Sequence, residues 1–225
     1  MMIRNEKDGT HLALVPAGQF WAGDAGKDEG DGPFKVQLSA YYLALHPVTN
    51  RQYKAFVEET GHRSPDKAHW GTPVWRDGEY PIALAEHPVV CLNWADARAY
   101  CQWAEMRLPT ELEWEYGARG GDARQYPWGD EWQADRCQNN ESRGEQTTVG
   151  SDSYQAGVSP TGLYNMVGNV WEWCADWYED GAYRRYAVGD LTPPAQGSGR
   201  VCRGGSWYGG PDNCRCAYRN GLGPD

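Results

Sequence analysis

Glycine and proline interrupt this 225-residue chain so often that no long regular element can survive through most of it; 28 residues are glycine and 14 are proline. Glycine loses much conformational freedom on folding and proline removes a backbone donor, so both break helices and strands. The apolar content suits such a chain. There are 12 Trp and 14 Tyr but only 3 Phe, no long aliphatic run, and a mean hydropathy of −0.77. Amphipathic rings can fill a core between irregular loops, provided their polar tips find partners. The length suffices for one large domain with a substantial core.

Regular structure is expected in the first half. HLALVPAGQFWAGD (11–24) reads as two short strands around a Pro16-Ala17-Gly18 turn, and VQLSAYYLAL (36–45) as one strand. KDEGDGPF (27–34) is a charged loop. Thr49 predicts the cap of a helix with Tyr53, Phe56 and Val57 on one face and Gly61 past its end. Residues 62–89 have no period and read as a long loop. Asn93 caps a second predicted helix, with Ala97, Tyr100, Cys101 and Ala104 at helical spacing. Thr110 and Glu113 form a capping box for a short third helix ending at Gly120-Gly121. After residue 121 helix signals vanish, and short strands and loops dense in Trp, Gly and Asn follow. No linker, repeat or charge block divides the chain, so residues 1–225 read as a single α+β domain. Loops this long are uncommon in compact domains unless something fastens them.

Charge and cysteine usage narrow the function. A net charge of −10 argues against nucleic acid as a partner, since sequence-independent binding needs Lys/Arg clusters. No stretch of 18 apolar residues offers a membrane span. The opening MMIRNEKDGTHLALVPAG lacks the apolar region of a signal peptide, which makes a cytoplasmic location the default expectation. Seven cysteines without C-x-x-C spacing indicate neither a disulfide framework nor a zinc ribbon. Cys91, Cys101, Cys137, Cys174 and Cys202 are expected to be small buried hydrophobes. Hydrolase and phosphate-cradling motifs are absent.

Four segments, RLPTELEWEYGARGG (107–121), YPWGDEW (126–132), GLYNMVGNVWEWCADWY (162–178) and CRGGSW (202–207), resemble in order and spacing the formylglycine-generating enzyme, or sulfatase-modifying factor, family. The resemblance runs from about Leu12 to Asn220 and includes VPAGQFWAGD and LALHPVTNRQYKAFVEETG. It implies a C-type-lectin-like fold with little regular secondary structure. The family's closing strand, containing G-F-R, has no counterpart before Pro224-Asp225; either the sequence stops short of it or the strand is lost, in which case a sheet edge or a partner chain is expected to compensate. Members include oxidases, substrate-binding domains of sulfoxide synthases, and non-catalytic display proteins such as the variable proteins of diversity-generating retroelements.

In the family, the segment matching N-M-V-G-N-V-W-E binds calcium. The resemblance therefore implies a structural calcium ion held by Asn165, Glu172 and the carbonyls of Gly168 and Val170. Ca²⁺ takes six to eight oxygens from such groups; the alternative is that the side chains simply hydrogen-bond the loop. A second family site would fall near Asn139-Asn140, where no carboxylate ligand can be placed.

The oxidase members hold Cu(I) between two cysteines in G-G-S-x-x-C-x-x-x-x-C. On this sequence the serine is Ser206 and the second cysteine Cys214, but the first falls on Gly209, which supplies no thiolate. Copper is therefore not expected there. Cys216, two residues from Cys214, would lie about 7 Å away in an extended chain, which does not reproduce the pair. The sulfoxide-synthase reading fails on histidines: His11, His46, His62, His69 and His87 include no i, i+4 pair. His62 and His69 stand near Trp70 and Trp75, where a surface or capping role outweighs a pocket role.

These residues favour a non-catalytic protein that binds a protein or other macromolecular ligand. Arg203–Trp207 would form a strand and YGGPDN a loop. Trp207, Tyr208, Gly209, Gly210, Asp212, Cys216, Tyr218 and Leu222 would line an exposed face. Retroelement diversification of 203–225 would fit residues reachable from Asn codons by adenine changes. The alternative is an oxidase of cysteine-containing peptides, using Cys214 and Ser206, or another oxidoreductase of the family.

Overall fold

All three longer helices begin at the residue whose side chain can replace a missing backbone partner. In the computed structural model, which describes residues 1–24, 32–67, 71–145 and 147–224, helix α1 spans Asn50–Thr60, α2 Trp94–Trp103 and α3 Glu111–Arg119. Thr49, Asn93 and Thr110 accept from the amides of Gln52, Asp96 and Glu113, and those three side chains return the bond to the cap amide. Each reciprocal box satisfies two orphan donors, and losing such a cap costs about 1 kcal/mol. A fourth helix, α4 (Ala182–Ala187), has no side-chain cap and falls in the half where no helix was expected.

The strands form three antiparallel sheets. Strands β1 (Met2–Arg4), β2 (His11–Val15) and β5 (Tyr41–Ala44) make one; β3 (Gly18–Ala22) and β4 (Phe34–Leu38) make the second; β6 (Glu172–Trp177), β7 (Arg200–Arg203) and β8 (Asn220–Leu222) make the third. The single strand expected over 36–45 is two. Val15 faces Tyr41 and Gly18 faces Leu38, so one long hairpin ribbon bends between those pairs and its halves join different sheets. Pro16, with no amide to donate, stands at the bend. The other predicted strand, Arg203–Trp207, is also corrected: β7 ends at Arg203 because Gly204 and Gly205 have φ of +91° and +74°. A side chain at Gly204 would come within 2.9 Å of the Met166 carbonyl, so only glycine serves there. Strand β8 lies beside β7 and gives it a partner on both sides. The charged-loop residues 27–31, with His69 and Trp70, lie outside the described residues.

Helix α3 runs through the centre and carries two buried glutamates. Glu115 Oε1 accepts from the Gly23 amide (2.8 Å) and Arg119 (2.7 Å), and Oε2 from Tyr183 (2.6 Å) and Arg203 (2.6 Å). Burial alone would raise its pKa, but Arg203 and Arg119 outweigh that and hold it below the usual value. Glu111 is held bidentate by Arg219 at 2.7 and 2.9 Å. The apolar core forms around this ionic centre, with Trp114 and Leu163 under β6–β7 and Phe20, Val36 and Tyr183 under β3–β4. Tyr53, Phe56, Trp75 and Tyr100 fill the space between α1 and α2. Cys137, Cys174 and Cys202 are buried as expected, whereas Cys91 and Cys101 are half-buried at the rim of the α1–α2 region.

Candidate functional site

Two segments converge in front of β6 and β7: the loop 165–172 and the C-terminal run 204–218. Asn165, Gly168 and Asn169 adopt φ of +54°, +73° and +60°, so the loop coils tightly. The Gly168 amide donates to the Gly204 carbonyl (2.7 Å), and Trp207 donates to the Asn169 carbonyl (2.9 Å), which lashes the two segments together. Asn169 is spent on structure, pairing through its side chain with both backbone groups of Val149.

Asn165 and Glu172 are different. Asn165 Nδ2 donates to the Ser151 carbonyl (2.6 Å), but its buried Oδ1 has no partner. Glu172 Oε2 accepts from the Trp114 indole (2.9 Å), and its Oε1, shut off from solvent, has none. Burial pushes the Glu172 carboxyl up to about 7, with the Trp114 bond pulling weakly the other way. Among the described residues no backbone amide bonds to the carbonyls of Gly168 or Val170. An orphaned amide oxygen, an orphaned carboxylate oxygen and two spare carbonyls form a hard, oxygen-only donor set that fits Ca²⁺. No cluster of three or more His, Cys, Asp or Glu suited to a metal occurs among the described residues.

The terminal segment turns as its glycines and proline dictate. Gly209 donates to Ser206 (2.8 Å), and Asn213 and Cys214 both donate to Gly210. The eight residues expected on one exposed face divide. Tyr208 is 76% exposed and Asp212 is exposed, while Trp207, Gly210, Tyr218 and Leu222 are half-buried. Gly209 and Cys216 are buried, which corrects the expectation for both. Cys216 turns inward because its amide donates to Gln125 (2.7 Å) and its carbonyl accepts from Arg203 (3.0 Å); its thiol, desolvated, is pushed up to about 12. Cys214 is wholly buried as well. The thiol that contacts it is that of Cys137, 77 residues upstream, and not that of Cys216.

A cleft of about 260 Å³ opens beside this segment, walled by Trp171, Trp173, Trp207, Leu222 and Ser206, with Arg63 at its side. It thus brings together Ser206, Trp207 and Leu222, and leaves Tyr208 and Asp212 outside its lining. Sequence reasoning missed Trp171, Trp173 and Arg63. The signal was present for the tryptophans: in Trp171-Glu172-Trp173, residues i and i+2 of an extended chain share a face, opposite the glutamate. Arg63 carried no such signal; it is placed by an ion pair with buried Asp96, which also accepts from His62 (2.9 Å). His62 is thereby an orienting partner of the α2 cap and not a cleft residue. A larger cleft of about 430 Å³ shares Val89, Leu92, Val170, Trp171 and Trp173 with the first.

This architecture is that of a known structural class. The Treponema denticola variable protein 1 superposes with a TM-score of 0.76 at 25% identity, over 100% of this chain and 93% of that one. The chain belongs to the family of the sulfatase-modifying factor enzyme 1-like domain, whose model matches residues 1–225. It is 34% identical over 266 residues to a formylglycine-generating enzyme of Streptomyces coelicolor, covering 94% of this chain and 84% of that protein. It is also 39% identical over 228 residues to the serine/threonine-protein kinase pkn1 of Chlamydia pneumoniae, covering 96% of this chain but only 36% of the kinase.

Proposed function

We propose that this chain is a ligand-binding protein on the formylglycine-generating-enzyme scaffold, and that it lacks the oxidase chemistry built on a cysteine pair in the terminal segment. The observation that carries the reading is Gly209. It stands where the pattern needs the first thiol, it is buried, and a side chain grafted there would start only 3.5 Å from the Cys214 sulfur. The cleft beside it is suited to recognition. Trp171, Trp173 and Trp207 offer large rigid faces with few torsions to freeze, and Ser206 and Arg63 add polar contacts. Exposed Tyr208 extends that surface. The likeness to a variable protein supports a display role, with 203–225 as the diversified segment; a near-copy of these codons downstream in the DNA, rich in AAY, is the expected trace.

Calcium is the structural ion in this reading, held by Asn165 Oδ1, Glu172 Oε1 and the carbonyls of Gly168 and Val170. It would neutralise the Glu172 carboxylate and tie the loop that Trp207 leans on. The test is to incubate the protein, loaded with calcium and supplied with Cu(I), with cysteine-containing peptides, and to follow both tryptophan fluorescence and peptide mass. Saturable quenching with unchanged peptide mass, weakened about tenfold or more in Trp207→Ala, is expected. Conversion of the cysteine to an aldehyde, lost in Cys214→Ser, would replace this reading with the oxidase.

A further inference from the structure

Seven free thiols are distributed through this chain, and two of them meet. Cys137 and Cys214 are 2% and 0% exposed and lie in the same core cluster, Cys137 Sγ against Gly168 and Cys214 Sγ against Gly205, where the Gly168 amide donates to the Gly204 carbonyl (2.7 Å); the neighbouring Cys214 thiol helps to push the Cys137 thiol up. Backbone bonds tie the Cys137 loop to the terminal segment and to the 165–172 loop. Asn140 donates to the Gly209 carbonyl (3.0 Å), and Asn169 donates to the Gln138 carbonyl (2.8 Å). Asn139 Nδ2 reaches the Cys137 sulfur at 3.5 Å, a donor that favours electron density there. Gly209 also packs close to the Cys214 sulfur.

We propose that Cys137 and Cys214 are a covalent cross-link site, closing to a disulfide that pins the terminal segment carrying Ser206 and Trp207 to the 137–140 loop. Two buried sulfurs in one core cluster need to close to about 2.05 Å to form the bond. The oxidant is a low-molecular-weight disulfide such as oxidised glutathione. One cysteine thiolate attacks its sulfur and expels one glutathione thiolate; the second cysteine then attacks the mixed disulfide and expels the other. Two protein thiols and one glutathione disulfide thus become one protein disulfide and two glutathiones. Because both sulfurs are sealed in the folded chain, the exchange belongs to folding, before the 206–214 turn closes over Cys214. The same burial then shields the finished bond from reductant. The bond stands or falls independently of calcium and of any ligand in the cleft.

Trypsin makes the site readable, because cleavage after Arg136, Arg143, Arg203 and Arg215 isolates Cys137 in 137–143 and Cys214 in 204–215, while Cys216 falls in 216–219. The wild-type protein is refolded from urea in glutathione redox buffer at fixed calcium, alkylated under denaturing conditions and digested. Loss of two of the seven free thiols is expected, with peptides 137–143 and 204–215 joined. The oxidised form should melt several degrees higher than the reduced one, a difference erased by dithiothreitol and absent in Cys137→Ala. Seven free thiols, a glutathione adduct without the joined peptide, or a link through any other cysteine would overturn the proposal. The wild-type peptide map decides even if a variant fails to fold.

Discussion

Glu115 is buried and Glu172 is half-buried with its Oε1 sealed from solvent, and the two carboxylates are treated in opposite ways. Glu115 has four donors on its two oxygens and sits below its usual pKa. Glu172 has one donor, an orphaned oxygen, and a carboxyl pushed up to about 7. A buried carboxylate is tolerated only when its charge is matched. The α3 centre matches it with arginines drawn from α3 and β7. The 165–172 loop does not, although Asn165 nearby in sequence also leaves an oxygen unused. One region is therefore complete in its own side chains. The other leaves two oxygens, Asn165 Oδ1 and Glu172 Oε1, without a hydrogen-bond partner, which is what the calcium proposal rests on.

The contrast can be broken most severely at Arg203. Arg203→Met leaves Glu115 buried without its main counter-charge, and urea denaturation should show a loss of about 3–5 kcal/mol. Its response to calcium should survive, because the ion site is separate. Chelation comes next. Calcium at a hundredfold its Kd adds about 2.7 kcal/mol to stability, so removal should lower Tm by roughly 5–10 °C in a chain of this size. Asn165→Ala and Glu172→Gln should melt at one temperature with or without chelator; an unchanged wild-type Tm would remove calcium from the account.

The sharper comparison is pH dependence, because the two glutamates carry opposite signs. Glu172 in the metal-free protein is raised from 4.5 to about 7, so the folded state holds its proton longer than the unfolded one. Chelated protein should then lose stability as pH rises from about 4.5 through 7, by less than about 3.4 kcal/mol because the residue is only half-buried. Glu172→Gln should flatten that slope. Glu115 is lowered, so its contribution is present above the unfolded value near 4.5 and is lost as pH falls through its folded one. Acid unfolding of Glu172→Gln should accordingly persist, and its disappearance would contradict the assignment of the acid limb to Glu115. The smallest effect belongs to exposed Tyr208: Tyr208→Ala should change stability by less than about 0.5 kcal/mol by denaturation.

The parts legible in the sequence were those whose cause is local. Thr49, Asn93 and Thr110 each sit three residues from the side chain that completes the box, so the helix starts needed no tertiary information. The turn at YGGPDN is equally local. The family motifs carried the fold class, and Gly209 carried the missing thiol. The ribbon over 11–44 was harder, since the bend between Leu38 and Tyr41 follows from two sheets competing for one hairpin and not from the residues within 36–45.

Side-chain destination is what only the tertiary structure decided. Cys216 and Tyr218 are two residues apart in one turn-rich run, yet the first is drawn under Arg203 and the second stays half-buried against Trp171, 6.0 Å between rings. Cys214 stands two residues from Cys216 in sequence, yet in space it shares its core cluster with Cys137. Arg63 reaches the cleft through an ion pair with Asp96, 33 residues away. Sequence fixes residue chemistry and the conformations that neighbours enforce within a turn or two. Which thiol, carboxylate or guanidinium ends beside which is set by how distant segments share one buried volume, where an unmatched polar group costs more than any local preference can return.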